Sequence, residues 1–413
     1  MRPFLSLFLP VLLVITVDSR GAEWDQFRGS AADGKTAADL PLEFGEKNKV
    51  VWRAPLPGKA WSSPVIWGKQ IWVTNALPDG HKLWALCFDL DTGKKLHDIL
   101  VFNVAEPQFC IAKNSYASPT PVIEEGRIFV SFGAHGNACI DTTTGKTLWE
   151  RRDIECNHHR SPASSPIPYG DLYILHFDGF DKQFVVALDK KTGKTRWTHH
   201  RAFDFRTDNG DRKKAYGTPV VITHKGIAQL IAPAAVATES LDPRTGKLLW
   251  TFRTGGMNAS ARPVYGRGLV FVTNGMGRMS AIRPEGKGEL PAEKLAWASK
   301  RGVPKKSSLI LDGKLLFMVS DLGVASCVDA ETGKAHWTAR LGGNYAASPI
   351  LSRGRIYFFN EDGEIPVISA GKEFKLLARN KLDDGFMASP AISGNALILR
   401  TKSALYRIEK QGP

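Results

Sequence analysis

After its first twenty residues the chain carries its apolar residues in short runs separated by Gly, Asn and Asp, with no sustained 3.6-residue stripe. One unit recurs. It opens on Ser63-Pro64-Val65-Ile66, turns at Gly68 and continues through the β-rich run Ile71-Trp72-Val73. The same opening returns at Pro121, Pro166, Pro219, Pro263, Pro349 and Pro390, and as Ser308-Leu309 without the proline. These eight starts lie 40 to 57 residues apart, the length of one four-stranded propeller blade. The pattern predicts an all-β, eight-bladed β-propeller over residues 44–409.

A second signature closes each unit. It reads Asp189-Lys-Lys-Thr192-Gly193-Lys194 with Trp197 following, then Asp242 to Gly246 with Trp250, and Asp329 to Gly333 with Trp337. Earlier copies begin at Asp89 and Asp141; the second is followed by Trp149, whereas His97 takes the Trp place in the first. An Asp carboxylate accepts from the turn's own N–H groups, and Gly supplies the positive φ that other residues resist. The Trp that follows is expected to pack between blades while its N–H finds a carbonyl. Two units are eroded: Arg283-Pro284-Glu285-Gly286 carries an insertion before Trp297, and Ser369-Ala370-Gly371-Lys372 lacks both Asp and Trp.

After Pro390 only three strands remain, and Val50-Val51-Trp52-Arg53 resembles a Trp strand without its preceding turn. That N-terminal strand is expected to complete the last blade, pairing an edge that would otherwise stay open. Ahead of it, residues 23–43 form a lead-in. Residues 1–22 read as a signal peptide, with Arg2, the apolar run Phe4 to Val17, and small residues beyond. The run is short for a membrane span, which places the mature chain in the periplasm or outside the cell.

Ala187-Leu-Asp189-Lys-Lys-Thr192-Gly193-Lys194-Thr-Arg-Trp197 resembles the tryptophan-docking motif of the quinoprotein, or PQQ-like repeat, propellers. The resemblance covers residues 44–409. The same repeat is found in the outer-membrane assembly factor BamB and in exported propellers that open, like Trp24-Asp-Gln26-Phe27-Arg28-Gly29, on W-x-Q-F-R-G. It implies the fold; function lives in sites grafted on it.

Charge changes the picture little. The net +14 comes from scattered residues, many of them the Lys of the repeated turn, so a solvated basic surface is expected and no nucleic-acid partner. Five cysteines leave at least one thiol unpaired within the chain. Cys87, Cys139 and Cys327 each stand two residues before a repeat Asp and read as buried core thiols. Cys110 and Cys156 lie in neighbouring inter-blade connections and are the candidate disulfide.

The segments just before the innermost strands nominate a ligand funnel: Trp61, Tyr116, His159, Arg160, Tyr216, Asn258, Lys306, Tyr345 and Phe386. Aromatic faces stack on planar or sugar ligands, while Arg and Lys hold anions. No catalytic set, metal-ligand spacing or cofactor site is recognisable in the sequence. The expected function is a non-catalytic scaffold binding a protein, peptide or glycan partner of the cell envelope. Two alternatives follow from the resemblance: a BamB-like role in outer-membrane protein assembly, and a PQQ-dependent oxidoreductase using Ca²⁺.

Overall fold

The structure, a computed structural model, describes residues 24–410; the signal-peptide expectation for 1–22 lies outside the described residues. It contains eight sheets set around a common axis, each built on four antiparallel strands. Blade 3 shows why the sequence folds this way. Its strands are Ile167–Tyr169, Leu172–Asp178, Gln183–Asp189 and Thr195–His200, in that order from the axis outward. The second strand is buried throughout and the third nearly so, because both faces meet neighbouring blades; both are therefore apolar without alternation. The outermost strand alternates exposed and half-buried positions.

Apolar clusters fill every interface between blades. Ile123, Ile128 and Ile140 meet Val65, Trp72 and Cys87 between blades 1 and 2, and Phe317, Cys327 and Ile356 meet between blades 6 and 7. At about 1.5–3 kcal/mol for each fully buried aliphatic or aromatic side chain, this packing is the main cohesive force of the ring.

The repeated turns carry a second bond between blades. Asp189 Oδ1 accepts from the N–H groups of Lys191 (3.0 Å) and Thr192 (2.9 Å) and from the Thr192 hydroxyl (2.9 Å). Gly193 has φ 70°, and a Cβ there would stand 2.8 Å from the ring of Trp149 in the preceding blade. Trp149 Nε1 in turn donates to Lys190 O at 2.9 Å. Trp52, Trp297 and Trp337 donate in the same way to Leu90, Ala330 and Gly371 of the blade that follows each. Trp197 and Trp250 depart from this expectation, Trp197 Nε1 being buried without a hydrogen-bond partner. The insertion in the blade 5 turn adds Gly288–Glu289 as a fifth strand, parallel to Trp250 and Thr251. Trp250 Nε1 therefore donates to Gln229 Oε1 of its own blade, at 2.8 Å.

Both eroded units still form four antiparallel strands. Val50–Pro55 pairs with Ala404–Ile408 as the outermost strand of blade 8, with Trp52 opposite Arg407. This strand closes the ring.

The lead-in is part of the ring. Trp24 exchanges backbone hydrogen bonds with Ile66 of blade 1, and Asp25 O accepts from Ile123 N–H of blade 2. Arg28 Nη2 donates to Leu309 O of blade 6 at 2.7 Å. Lys35–Thr36 then pairs in parallel with Ile350–Ser352, the innermost strand of blade 7. The segment crosses one end of the axial channel.

Candidate functional site

The Ser/Thr of each blade start faces the axis, and these hydroxyls join the blades. Ser63 N–H donates to Thr120 Oγ1, Thr120 to Ser165, and Ser165 to Thr218, at 2.9–3.0 Å. On the far side Arg262 N–H donates to Ser308, Ser308 to Ser348, Ser348 to Ser389, and Ser389 back to Ser63. The residue before Pro is held extended, which aims each N–H across the blade boundary. Arg262 takes the hydroxyl's place in blade 5. Its Nε donates to Pro219 O, Nη1 to Phe27 O, and Nη2 to Gln26 Oε1, so the exception in the repeat is what seats the lead-in.

Above this belt lies a cavity of about 400 Å³, with Phe27 at its floor. Its wall is built from one register position, two residues before the belt residue: Trp61, Ser118, Ala163, Tyr216, Ser260, Lys306, Ala346 and Met387. Period-two alternation puts the belt and this position on the same side of the backbone.

That register sorts the residues nominated from the sequence. Trp61, Arg160, Tyr216, Asn258 and Lys306 line the cavity. Tyr345 and Phe386, three residues before the belt, point into the blade interfaces and are 0% and 1% exposed. Tyr116 lies beneath the Gly80 turn, its hydroxyl donating to Gln108 O at 2.7 Å. His159 stands away from the lining, its ring centroid 5.1 Å from that of Phe180 and 6.5 Å from that of Phe109. Sequence reasoning missed Ser118, Ala163, Ser260, Ala346, Met387 and Phe27. Counting back two residues from each Ser/Thr-Pro finds Ser118, Ala163, Ala346 and Met387, and from Arg262-Pro263 finds Ser260; nothing local announces Phe27.

The lining is cationic. Lys113, Arg160, Lys305 and Lys306 face one carboxylate, Asp321. Lys306 Nζ is shared between Asp321 (3.5 Å) and Glu361 (3.4 Å). Arg160 is held at 3.1 Å by Asp211, whose carboxyl the Lys214 ammonium keeps below its usual range. Trp61 Nε1 donates to Lys113 O at 3.2 Å, leaving its ring as a cavity wall. Burial pushes the Tyr216 phenol well above its ordinary value, so it stays a neutral hydroxyl, donating to His158 O at 3.3 Å. His158 is buried and pushed down to about 3; its Nε2 accepts from Ala134 N–H. Among the described residues no group of three His, Cys, Asp or Glu side chains is placed to hold a metal ion.

All five cysteines are free thiols, so the Cys110–Cys156 pairing is not formed. Cys156 is buried against Gly179, where a Cβ would stand 2.3 Å from its sulfur, and Cys110 packs against the interface between blades 1 and 2. The two thiols belong to different packing environments.

Comparison with known proteins places this architecture. The family described as outer membrane protein assembly factor BamB matches residues 108–232 and 289–372. The BamB of Moranella endobia is 22% identical over 330 residues, 76% of each chain. A tetrathionate hydrolase of Acidithiobacillus ferrooxidans is 23% identical over 327 residues; the match takes 60% of this chain and spans 64% of that protein's length. Among solved structures, a europium-containing methanol dehydrogenase aligns with TM-score 0.67 at 13% identity, over 94% of this chain and 89% of its own. BamB from Moraxella catarrhalis aligns with TM-score 0.63 at 13% identity, over 88% of this chain and 98% of its own. At these identities the two structures share the fold alone.

Proposed function

The chain belongs to the PQQ-like repeat propeller family described as outer membrane protein assembly factor BamB, and from that premise we propose that it is a non-catalytic, protein-binding scaffold of the cell envelope. In this reading the axial cavity receives the acidic or carboxylate-bearing end of an extended partner segment, and the surrounding loops hold the rest. One observation carries it. The pocket is lined by four cations and one carboxylate, two of the cations also paired with Asp211 and Glu361 outside the lining, beside the flat face of Trp61. Cations and oriented N–H donors hold carboxylates, and aromatic faces take the adjoining apolar atoms. Phe109, Met276 and Leu322, in the loops that also supply Ile111, Gly275 and Asp321 to the lining, are 65%, 61% and 69% exposed. Apolar side chains displayed around a polar pocket are the anatomy of a recognition surface. A role like that named for BamB is the specific form of this proposal.

The test is an array of acidic peptides with free C-terminal carboxylates, each paired with its amidated counterpart. The expected result is preferential binding of the free acids, weakened at least tenfold by Lys306→Met. Equal binding of acid and amide would overturn the proposal.

A quinone-dependent oxidoreductase is the second reading, favoured by the same lining, since cations and aromatic rings suit a planar polyanion. The calcium that accompanies PQQ does not fit. Calcium takes about six to eight oxygen ligands, several from carboxylates. Here the single carboxylate of the lining is spent on Lys306. Titration with PQQ and Ca²⁺, followed by absorption and dye-linked oxidation, separates the two readings.

A further inference from the structure

A second groove, basic in its lining, lies between blades 4 and 5, beside the axial cavity. It encloses about 630 Å³ and is lined by Arg206, Arg253, Arg278 and Lys300, with Asn274 and the backbone of Gly255-Gly256. No carboxylate lines it. Gly275 and Asn258 belong to the axial cavity, while their neighbours Asn274 and Gly256 belong to the groove, so one loop pair walls off the two sites.

The groove is built rather than incidental. Asn274 Oδ1 accepts from the N–H groups of Met276 (3.0 Å) and Arg278 (3.1 Å), and its Nδ2 donates to Gly255 O (3.0 Å). This amide fixes the turn that carries Arg278 against the loop opposite. Gly256 has φ 79°, and a Cβ there would stand 2.4 Å from Asn274 Nδ2, so the close approach requires glycine. Blade 7 contains the same device: Asn360 accepts from the N–H groups of Asp362 and Glu364, and Gly343 sits on its amide. There the fourth residue after the Asn is Glu364, facing Arg379 at 4.0 Å. In blade 5 the equivalent residue is Arg278, which has no carboxylate within ion-pair reach among the described residues. Its Nε is buried without a hydrogen-bond partner. Arg278 is half-buried, and no described residue accepts a hydrogen bond from its guanidinium, so its fork is left unsatisfied by the protein where it lines the groove. Arg253 is already oriented, between Glu289 and the ring of Phe203, with its guanidinium 5.5 Å from that ring's centroid.

We infer that this groove binds a multiply charged oxyanion, a phosphate or sulfate group of a small ligand. Arg278 is its half-buried central donor, and Arg206, Arg253 and Lys300 are its rim. Fork-shaped guanidinium groups match the oxygens of such groups, where a single carboxylate would leave donors unused.

The probe is inorganic pyrophosphate, with sulfate and chloride compared at constant ionic strength, measured by calorimetry on the full mature chain. Saturable pyrophosphate binding is expected, weakened at least tenfold by Arg278→Gln and severalfold by Arg206→Gln, which is exposed and leaves the fold intact. Arg278→Lys keeps the charge without the fork and should recover only part of the affinity. Lys306→Met, in the axial cavity, should leave pyrophosphate binding unchanged, so failure here is separable from failure of the scaffold proposal. Undetectable binding, equal affinity in Arg278→Gln and Arg206→Gln, or loss in Lys306→Met would each overturn the assignment.

Discussion

The guanidinium of Arg262 donates to the carbonyl of Phe27, a residue 235 positions earlier in the chain, and this contact seats the lead-in across the axial channel. Arg262 is buried with no carboxylate in ion-pair contact among the described residues; its hydrogen bonds go to carbonyl and amide oxygens, with Asp25 and Asp33 further off favouring its charge. Burial drives its guanidinium down to about 9.

Arg262→Ser restores the repeat's hydroxyl but removes the lead-in's anchor. Two competing effects arise: relief of a buried charge, and loss of hydrogen bonds worth about 1.5–3 kcal/mol each when one partner is ionised. With bonds to Phe27, Gln26 and Pro219 all removed, the loss should win. Limited proteolysis should then cut within residues 24–36 faster than in the parent protein, and the melting temperature should fall. An unchanged cleavage rate would show that the lead-in is held by its strand pairing with blade 7.

Ring closure depends on Trp52 and its strand. Trp52→Ala removes the hydrogen bond to Leu90 O and the packing over Gly93, at a cost of about 2–4 kcal/mol for a half-buried indole. Deleting residues 44–55 opens blade 8 to solvent and should abolish a single cooperative unfolding transition in denaturant.

Gly193→Ala meets two penalties. The left-handed backbone costs a non-glycine residue about 1–2 kcal/mol. The new Cβ also displaces Trp149 from the blade interface. Urea unfolding should show a larger loss than for Gly226→Ala, where φ is also positive but a Cβ meets nothing within 4 Å.

The turn carboxylates set an acid limit. The Thr92 and Thr332 hydroxyls, followed by backbone N–H groups, hold Asp89 and Asp329 below the ordinary carboxylate value. A folded value below the unfolded one, about 3.9, stabilises the protein at higher pH. That contribution is complete above the unfolded value and is lost as pH falls through the folded one. Melting temperature should therefore fall on acidification below about pH 4, less steeply in an Asp89→Asn, Asp329→Asn double variant.

Thiol labelling distinguishes the cysteines. Burial pushes Cys139 and Cys327 up to about 12, and Cys87 and Cys156 are also raised and buried. Only Cys110 is partly exposed. In the native protein a maleimide should modify Cys110 alone, and in denaturant without reductant all five should react.

Much of the ring is legible in the sequence because its causes are local. Ser/Thr-Pro, the Asp-to-Gly turn and the Trp behind it each act within a few residues or between adjacent repeats, so the blade count and the closing strand at Trp52 follow from spacing alone. The site is only half legible. Trp61, Tyr216 and Lys306 face the axis because they stand two residues before the belt, whereas Tyr345 and Phe386, one position further back, turn into the blades. A one-residue shift reverses the face of an extended chain, and aromatic character alone cannot report it. The lead-in, the belt and the Arg278 groove belong to tertiary structure. Each joins residues whose partners are distant in the chain or in another blade, and such bonds exist only once the ring has closed.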